Sequence, residues 1–321
     1  MGIQRLESSA TIEWLDIAKG IGIILVVLGH CMFPCHQLID VFHMPLFFFI
    51  SGITFRHKQL ETFLISKIDR IGIPYVFWSI ISAILAFIPH PWSGPFNGPL
   101  WFLQCLFCAL IITELMGGLY KTYRYLGTGL IFLFLYISSE IQFLDELPFN
   151  LDRALMAYIY IFMGIELKNL LITKSIFINR FLDATLCTIA FLCLFIFLHI
   201  QGKTSGMFFN LTLYDEKFLS MFSLSLLGIL STVLISKYII HFTFIKYCGK
   251  NSLLIMCVHF PLAQLLNVNI SHLHIYQSGY GKVVCALSEY LIVGLFCYIM
   301  IRIEKKYLPK LGGYKPFLKL K

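Results

Sequence analysis

The sequence predicts an all-α integral membrane protein, a polytopic bundle of about ten transmembrane helices with both termini in the cytoplasm. Hydrophobic residues make up 58% of the 321 residues and charged residues only 13%, about half the charged share of a soluble globular domain. Apolar segments long enough to cross about 30 Å of hydrocarbon recur along the whole chain. Because no stretch is polar enough for a soluble domain, residues 1–321 are predicted to form one transmembrane domain with a short basic tail from about residue 302.

The basic residues orient the predicted spans. With both termini inside, twenty lysine and arginine residues fall in cytoplasmic segments, and only Lys203, Lys217 and Lys282 fall in outer loops. This is the positive-inside pattern. An odd number of spans would put the two termini on opposite sides of the membrane and remove this pattern. The net charge of +8 is therefore interpreted as membrane orientation, with the tail as an anionic-lipid anchor, and not as a nucleic-acid surface. The predicted spans are approximately 12–34, 41–55, 71–89, 100–116, 127–139, 152–167, 181–200, 219–236, 251–267 and 283–301.

The first span carries three ionisable side chains on one stripe. Lys19 and His30 are eleven residues apart, close to three helical turns, so they share one face about 16 Å apart along the axis. Asp16 lies one turn before Lys19 on nearly the same face and is expected to pair with it. Ionisable residues within a span are costly to bury, so this stripe is the strongest indication of a functional site.

The outer end of the first span contains residue types that bind metals. These are His30, Cys31, Cys35 and His36, which resemble a zinc ligand set. An adjacent histidine and cysteine rarely present both side chains to one ion, so no metal site is predicted.

The second predicted span opens with His43 and ends near Ser51 and Gly52. Small residues such as these allow helices to approach closely within a membrane. His43 is either an interfacial packing residue or, since it shares the outer end of the bundle with His30, a residue of the same pocket.

Two further segments have both a functional and a plain interpretation. Lys67 and Arg70, three residues apart before the third span, suit the phosphates of a cytoplasmic ligand, or reflect only the positive-inside bias. The outer loop 89–99 is rich in proline, glycine and aromatic residues and leads to Trp101. Its flat rings suit stacking against sugars or simply form an aromatic belt.

Polar residues also mark the sixth and ninth spans. Arg153 begins the sixth span and is a candidate acceptor contact, or a structural partner of Asp152 or Asp145. Asn251 stands where the ninth span begins, as a residue that can cap the exposed N–H groups. His259 follows eight residues later, inside the span.

The order and spacing of these motifs resemble the membrane-bound acyltransferase 3 family, bacterial multispanning proteins that acylate, usually O-acetylate, cell-surface carbohydrates. The resemblance runs in register over nearly the whole chain. One departure is Lys19, where the family commonly has arginine. The planar guanidinium group of arginine binds carboxylates and phosphates bidentately, and the ammonium group of lysine does not. The matching motifs are Leu15-Asp16-x-x-Lys19 with His30, Phe42–Gly52, Lys67-x-x-Arg70-x-x-x-Pro74-Tyr75, Leu100–Leu103, and Gly249–Ser252 followed by His259.

The resemblance implies an enzyme of the bacterial inner membrane that moves an acyl group from cytoplasmic acyl-CoA to a carbohydrate hydroxyl. Acetyl-CoA or another acyl-CoA would be a co-substrate, with no permanently bound cofactor. The acceptor would be a surface polysaccharide or a lipid-linked sugar. Membrane lipids are the other expected partners, and nucleic acid is not. A homo-oligomer is compatible with the sequence, which leaves the oligomeric state open.

The resemblance also implies roles for individual residues. His30 is expected to be the general base, or alternatively to take the acyl group itself, with general base as the preferred role. Asp16 and Lys19 complete the catalytic stripe. Lys19, Lys67 and Arg70 are expected to bind acyl-CoA. The residues expected to line the acceptor pocket are His43, Ser51, Trp101, Arg153, Asn251 and His259.

Two other functions fit the residues themselves. A transporter or flippase of a carbohydrate or lipid-linked intermediate would also need buried histidines and charges. No internal repeat with paired broken helices supports that function. A structural partner of a polysaccharide-assembly complex is the third interpretation.

Overall fold

A computed structural model describes residues 2–31, 33–34, 36–86, 98–140, 150–173, 180–201, 218–270, 272, 278–311 and 317. Every regular element among these residues is helical, which confirms the all-α prediction. A π-helical turn, Ile68–Gly72, joins α4 to α5, and a 3-10 turn, Gly98–Leu100, precedes α6. The α-helices are α1 (Gly2–His30), α2 (His36–Asp40), α3 (His43–Ile53), α4 (Leu60–Lys67), α5 (Ile73–Ala86), α6 (Trp101–Gly117), α7 (Lys121–Glu140), α8 (Leu151–Thr173), α9 (Arg180–Ile200), α10 (Phe218–Tyr238), α11 (Thr243–Lys250), α12 (Ser252–Ile270) and α13 (Gly279–Tyr307).

Seven helical segments in the described part of the chain are long and apolar enough to cross a membrane, which makes this a multi-pass membrane protein. They correspond to seven of the ten predicted spans. The other three predicted spans, 12–34, 71–89 and 127–139, fall on α1, α5 and α7, which are not among the seven. The segments are His36–Ile53, Gly98–Gly117, Leu151–Ile172, Phe181–Ile200, Phe218–Tyr238, Ser252–Ile270 and Gly279–Tyr307.

The chain divides into two compact units. The first consists of Met1–Gly22, Gln37–His57 and Cys108–Lys250. Within it, α3 packs against α8 and α10, and α10 also packs against α7 and α9.

Glycines allow the helices of the first unit to touch backbone to backbone. A methyl group on Gly52 would overlap the carbonyl oxygen of Ile161, and one on Gly164 would overlap that of Phe49. The crossing of α3 and α8 is therefore the close approach that small residues permit in membranes. It agrees with the packing role expected for the Ser51–Gly52 motif.

The short helix α11 holds the N-terminal part of α1 in the same way. A methyl group on Gly20 would overlap the carbonyl oxygen of Ile245, and one on Gly249 would overlap that of Asp16. Lys246 adds an ion pair with Glu13 at 2.8 Å. These contacts fix the segment of α1 that carries Asp16 and Lys19.

The second unit consists of Ile23–His36, Lys58–Phe107 and Asn251–Lys321. Its central element is α12, which packs against α13, α5 and the turn Gly98–Leu100. The ring of Phe260 lies 3.4 Å from the position that a Cβ on Gly98 would take. This unit contains the last turns of α1 and with them His30.

Candidate active site

His30 and His259 form a close pair inside the second unit. Their ring centroids are 5.1 Å apart at an interplanar angle of 62°, and Nε2 of His259 lies 3.4 Å from Nδ1 of His30. The ring of Phe260 meets His30 edge to face, with centroids 5.2 Å apart. The fold thus brings together two histidines that stand 229 positions apart in the sequence.

Backbone hydrogen bonds assign the protons of both rings. Nδ1 of His30 lies 2.8 Å from the carbonyl oxygen of Val26, and Nδ1 of His259 lies 2.8 Å from that of Ile255. A carbonyl oxygen only accepts hydrogen bonds, so each Nδ1 carries the hydrogen. In the neutral form of each imidazole, Nε2 is then the nitrogen with the basic lone pair.

Burial distinguishes the two histidines. His259 is fully buried, whereas His30, at the end of α1, is only partly buried. The basic nitrogen of His259 faces His30. His30 is therefore the member of the pair that a substrate can reach.

Two polar residues that the sequence analysis did not single out lie beside this pair. Asn267 of α12 donates from Nδ2 to the carbonyl oxygen of His30 at 2.9 Å. This bond provides a donor for a carbonyl group at the C-terminal end of α1, where the helix itself has none. Glu289 of α13 is fully buried beside the thiol of Cys31. The signal that could have found Glu289 is a glutamate in the middle of a predicted span, which by itself indicates a functional position.

One of these residues keeps an unsatisfied polar atom in the described part of the chain. Oδ1 of Asn267 is buried there without a hydrogen-bond partner, whereas the buried carboxyl group of Glu289 lies next to the Cys31 thiol, a weak donor. Buried polar groups are usually paired. Asn267, which holds the backbone of His30, therefore keeps a buried acceptor that packing alone does not use.

The ion pair predicted between Asp16 and Lys19 is present in the first unit. Nζ of Lys19 lies 2.7 Å from Oδ1 of Asp16, and the side chains are 30% and 8% exposed. The helix α1 runs without a break from Gly2 to His30, so all three residues of the predicted stripe lie on one helix.

Two other predicted pocket residues of the first unit use polar atoms within their own helical segments. His43 is buried, with Nδ1 2.7 Å from the carbonyl oxygen of Ile39. The hydroxyl of Ser51 donates to the carbonyl oxygen of Phe47 at 2.8 Å. Arg153 lies partly buried in the first turn of α8, beside the buried Asp152.

The remaining predicted residues belong to the second unit. Lys67 ends α4, with its ammonium group 5.1 Å from the ring centroid of Phe63. Arg70 is exposed within the π-helical turn, whose hydrogen bonds run from i to i+5. The spacing of a regular α-helix therefore does not relate Lys67 and Arg70.

Trp101 begins α6 and is partly buried, and Asn251 is buried directly before α12. That position agrees with the predicted start of the ninth span. The aromatic loop residues 89–97, together with Cys35 and Asp145, lie outside the described residues. Within the described residues, no three histidine, cysteine or acidic side chains group as metal ligands.

A comparison with protein families identifies the family of this chain. A model described as the acyltransferase domain, Acyl_transf_3, matches residues 12–302. The chain belongs to the acyltransferase 3 family. The matched region contains every residue assigned to the predicted site.

One curated relative matches part of the chain. The nodulation protein NolL of Sinorhizobium fredii (strain NBRC 101917 / NGR234) is 33% identical over a region that covers 32% of this chain and 36% of NolL. The chain thus spans about a third of the length of that relative. No solved structure matches the chain.

Proposed function

We propose that the protein is a bacterial inner-membrane O-acyltransferase that uses cytoplasmic acyl-CoA to acylate a hydroxyl of a cell-surface or lipid-linked carbohydrate. Acetyl is the proposed acyl group, because the resembled family is mainly O-acetylating. The observation that carries the proposal is His30, a reachable imidazole whose Nδ1 hydrogen is held by a backbone carbonyl so that Nε2 is the base. Family membership supplies the reaction class.

The proposed reaction needs one base that later acts as an acid. The acceptor hydroxyl oxygen attacks the thioester carbonyl carbon while Nε2 of His30 takes the hydroxyl proton. The tetrahedral intermediate collapses, the C–S bond breaks, and the CoA thiolate leaves. The imidazolium then returns the proton to the thiolate, giving an ester and free CoA. General acid–base catalysis of this kind contributes about 10²- to 10⁴-fold.

The other predicted residues divide into donor and acceptor contacts. Lys67 and Arg70 are proposed to bind CoA phosphates, since Arg70 is exposed and both residues are cationic. Lys19 of the first unit is proposed as a further cationic contact for acyl-CoA through its exposed part, although its ammonium group already pairs with Asp16. Trp101, with its partly buried ring, is the proposed stacking surface for the acceptor, and Arg153 a second acceptor contact. His43, which is buried, and Ser51, which is partly buried, are proposed acceptor-side residues of the first unit, and buried Asn251 of the second.

We also propose ten spans with both termini in the cytoplasm. The support is the split of basic residues, twenty inside against three outside. In this arrangement α1, α5 and α7 supply the three spans beyond the seven apolar segments. Reporter fusions after each predicted loop test the topology, and a terminus on the outer side would overturn it.

The test of function uses purified protein in nanodiscs, radiolabelled acetyl-CoA and a cell-envelope glycan fraction. We expect wild type to label the glycan and release CoA, and His30→Ala to do both at least about 100-fold more slowly with its folding intact. His199→Ala is the matched control, because His199 is an exposed histidine of α9 in the first unit. If wild type neither binds nor consumes acetyl-CoA, the proposal fails and the transporter interpretation replaces it.

A further inference from the structure

We propose that His259 is a positioning residue for His30: it accepts a hydrogen bond from Nδ1–H of His30 and stabilises the imidazolium that forms when Nε2 takes the acceptor proton. This inference rests on the proposed function, because it assigns a role within the same reaction. It differs from the pocket role expected from the sequence, since His259 would act through His30 and not touch the acceptor.

The hydrogen bonds of His259 leave its Nε2 able to accept a hydrogen bond from His30. Its Nδ1–H is committed to the carbonyl oxygen of Ile255 at 2.8 Å, so its Nε2 presents a lone pair. That nitrogen lies 3.4 Å from Nδ1 of His30. The single hydrogen on Nδ1 of His30 is thus shared between the Val26 carbonyl at 2.8 Å and His259. Both acceptors strengthen their interaction when the His30 ring becomes charged.

Burial excludes the reverse assignment of the two histidines. His259 is 0% exposed, and its lone-pair nitrogen is turned toward His30. A base has to come within hydrogen-bond reach of the substrate proton. His259 therefore has no path to the acceptor, and its effect on the reaction passes through the other ring.

The helix α12 also holds the backbone of His30. Two helical turns after His259, Asn267 donates to the carbonyl oxygen of His30 at 2.9 Å. Between them Phe260 packs edge to face on the same imidazole. One helix thus fixes the main chain, the ring plane and the Nδ1 hydrogen of His30. From α13, the titratable groups of Glu289 and Cys297 interact with Cys31, directly after this end of α1.

Two substitutions separate a hydrogen-bonding role from a packing role. His259→Phe keeps an aromatic ring but removes the acceptor, whereas His259→Gln keeps an acceptor oxygen but loses the ring. We expect His259→Phe to lower kcat for glycan labelling by roughly 10- to 100-fold, the range of a hydrogen bond to a charged group. The KM for acetyl-CoA should change less than about twofold, since His259 does not touch the donor. His259→Gln should recover part of the lost kcat.

A merely structural role predicts the opposite order, with His259→Phe active and His259→Gln impaired, and that result overturns the inference. The same substitution in a His30→Ala background provides the second test. If His259 acts through His30, His259→Phe causes no further loss there; an equal additional loss contradicts the inference.

The two proposals fail in distinguishable ways. If His30→Ala keeps full activity, the proposed base is wrong. If His30→Ala abolishes labelling while His259→Phe stays within twofold of wild type, only the role of His259 is wrong. Gel-filtration profile and thermal unfolding of each variant confirm that the compared proteins are folded.

Discussion

Removing the cation at Lys19 is expected to destabilise the fold far more than removing an equivalent surface cation. Asp16 is 8% exposed and pairs with Lys19 at 2.7 Å, so Lys19→Met leaves a buried carboxylate without its partner. Breaking a buried ion pair from one side costs about 3–5 kcal/mol. Because Lys19 is itself 30% exposed, water partly reaches the site, and we expect the lower end, about 3 kcal/mol.

The chain supplies a matched control in Lys246. It pairs with Glu13 at a similar distance, 2.8 Å, but Glu13 is 41% exposed. Exposed ion pairs are screened by water and contribute little, so Lys246→Met should cost much less stability than Lys19→Met. The double variant Asp16→Leu/Lys19→Met removes both charges and should recover most of the lost stability.

The assay is unfolding of the purified protein in mixed micelles with increasing SDS, followed by circular dichroism. The reasoning is refuted if Lys19→Met and Lys246→Met are equally stable, or if the double variant is no more stable than Lys19→Met alone. Acetyl-CoA binding by the recovered double variant then separates the stabilising role of the pair from donor binding.

Three further predictions concern the two units. Gly52→Val should force α3 and α8 apart, because even a methyl group overlaps the Ile161 carbonyl, and lower the thermal midpoint; Gly129→Val, with nothing within 4 Å in the described part of the chain, should not. Glu289→Gln should leave stability unchanged or raise it by about 1 kcal/mol in the same SDS titration, because the amide keeps the size of this fully buried side chain and the Cys31 thiol beside it is a weak donor; a loss of more than about 1 kcal/mol would contradict this. Burial raises the pKa of the Cys248 thiol in α11 from 9.0 to about 11. The unfolded chain therefore ionises this thiol at lower pH than the native protein, and Cys248 should contribute a loss of stability as pH rises from about 9 to 11. Wild type and Cys248→Ser, compared across that range, should differ in slope, and parallel curves would contradict the assignment.

The parts of the site that lie on a single helix were the ones that the sequence predicted best. Asp16, Lys19 and His30 lie on α1 because helical periodicity relates them, and the ion pair follows from a spacing of three residues. The family could likewise be predicted from the sequence, because its motifs keep their order along the chain.

The contacts between distant segments could not be predicted. The pairing of His30 with His259 depends on how α12 packs at the end of α1, which no local pattern encodes. The π-helical turn at Ile68–Gly72 is a second example. There the carboxyl group of Asp69 accepts a hydrogen bond from the backbone N–H of Phe317 at 2.7 Å, a contact across 248 positions.

Hydropathy alone does not identify every predicted span in the structure. Helix α1 carries Glu13, Asp16 and Lys19, and their polarity offsets its apolar residues. Helix α5 has only 14 residues in the described part, after the π-helical turn. An ion pair such as that of Asp16 with Lys19 lowers the cost of such a polar helix in a membrane, and average hydropathy does not register this pairing.

The role of His30 as the base is tested by single-turnover transfer of radiolabel from acetyl-CoA to cell-envelope glycan by wild type and His30→Ala in nanodiscs. We expect wild type to label the glycan and His30→Ala to bind acetyl-CoA equally well but to transfer label at least about 100-fold more slowly. Transfer by His30→Ala at the wild-type rate would contradict the assignment of His30 as the base.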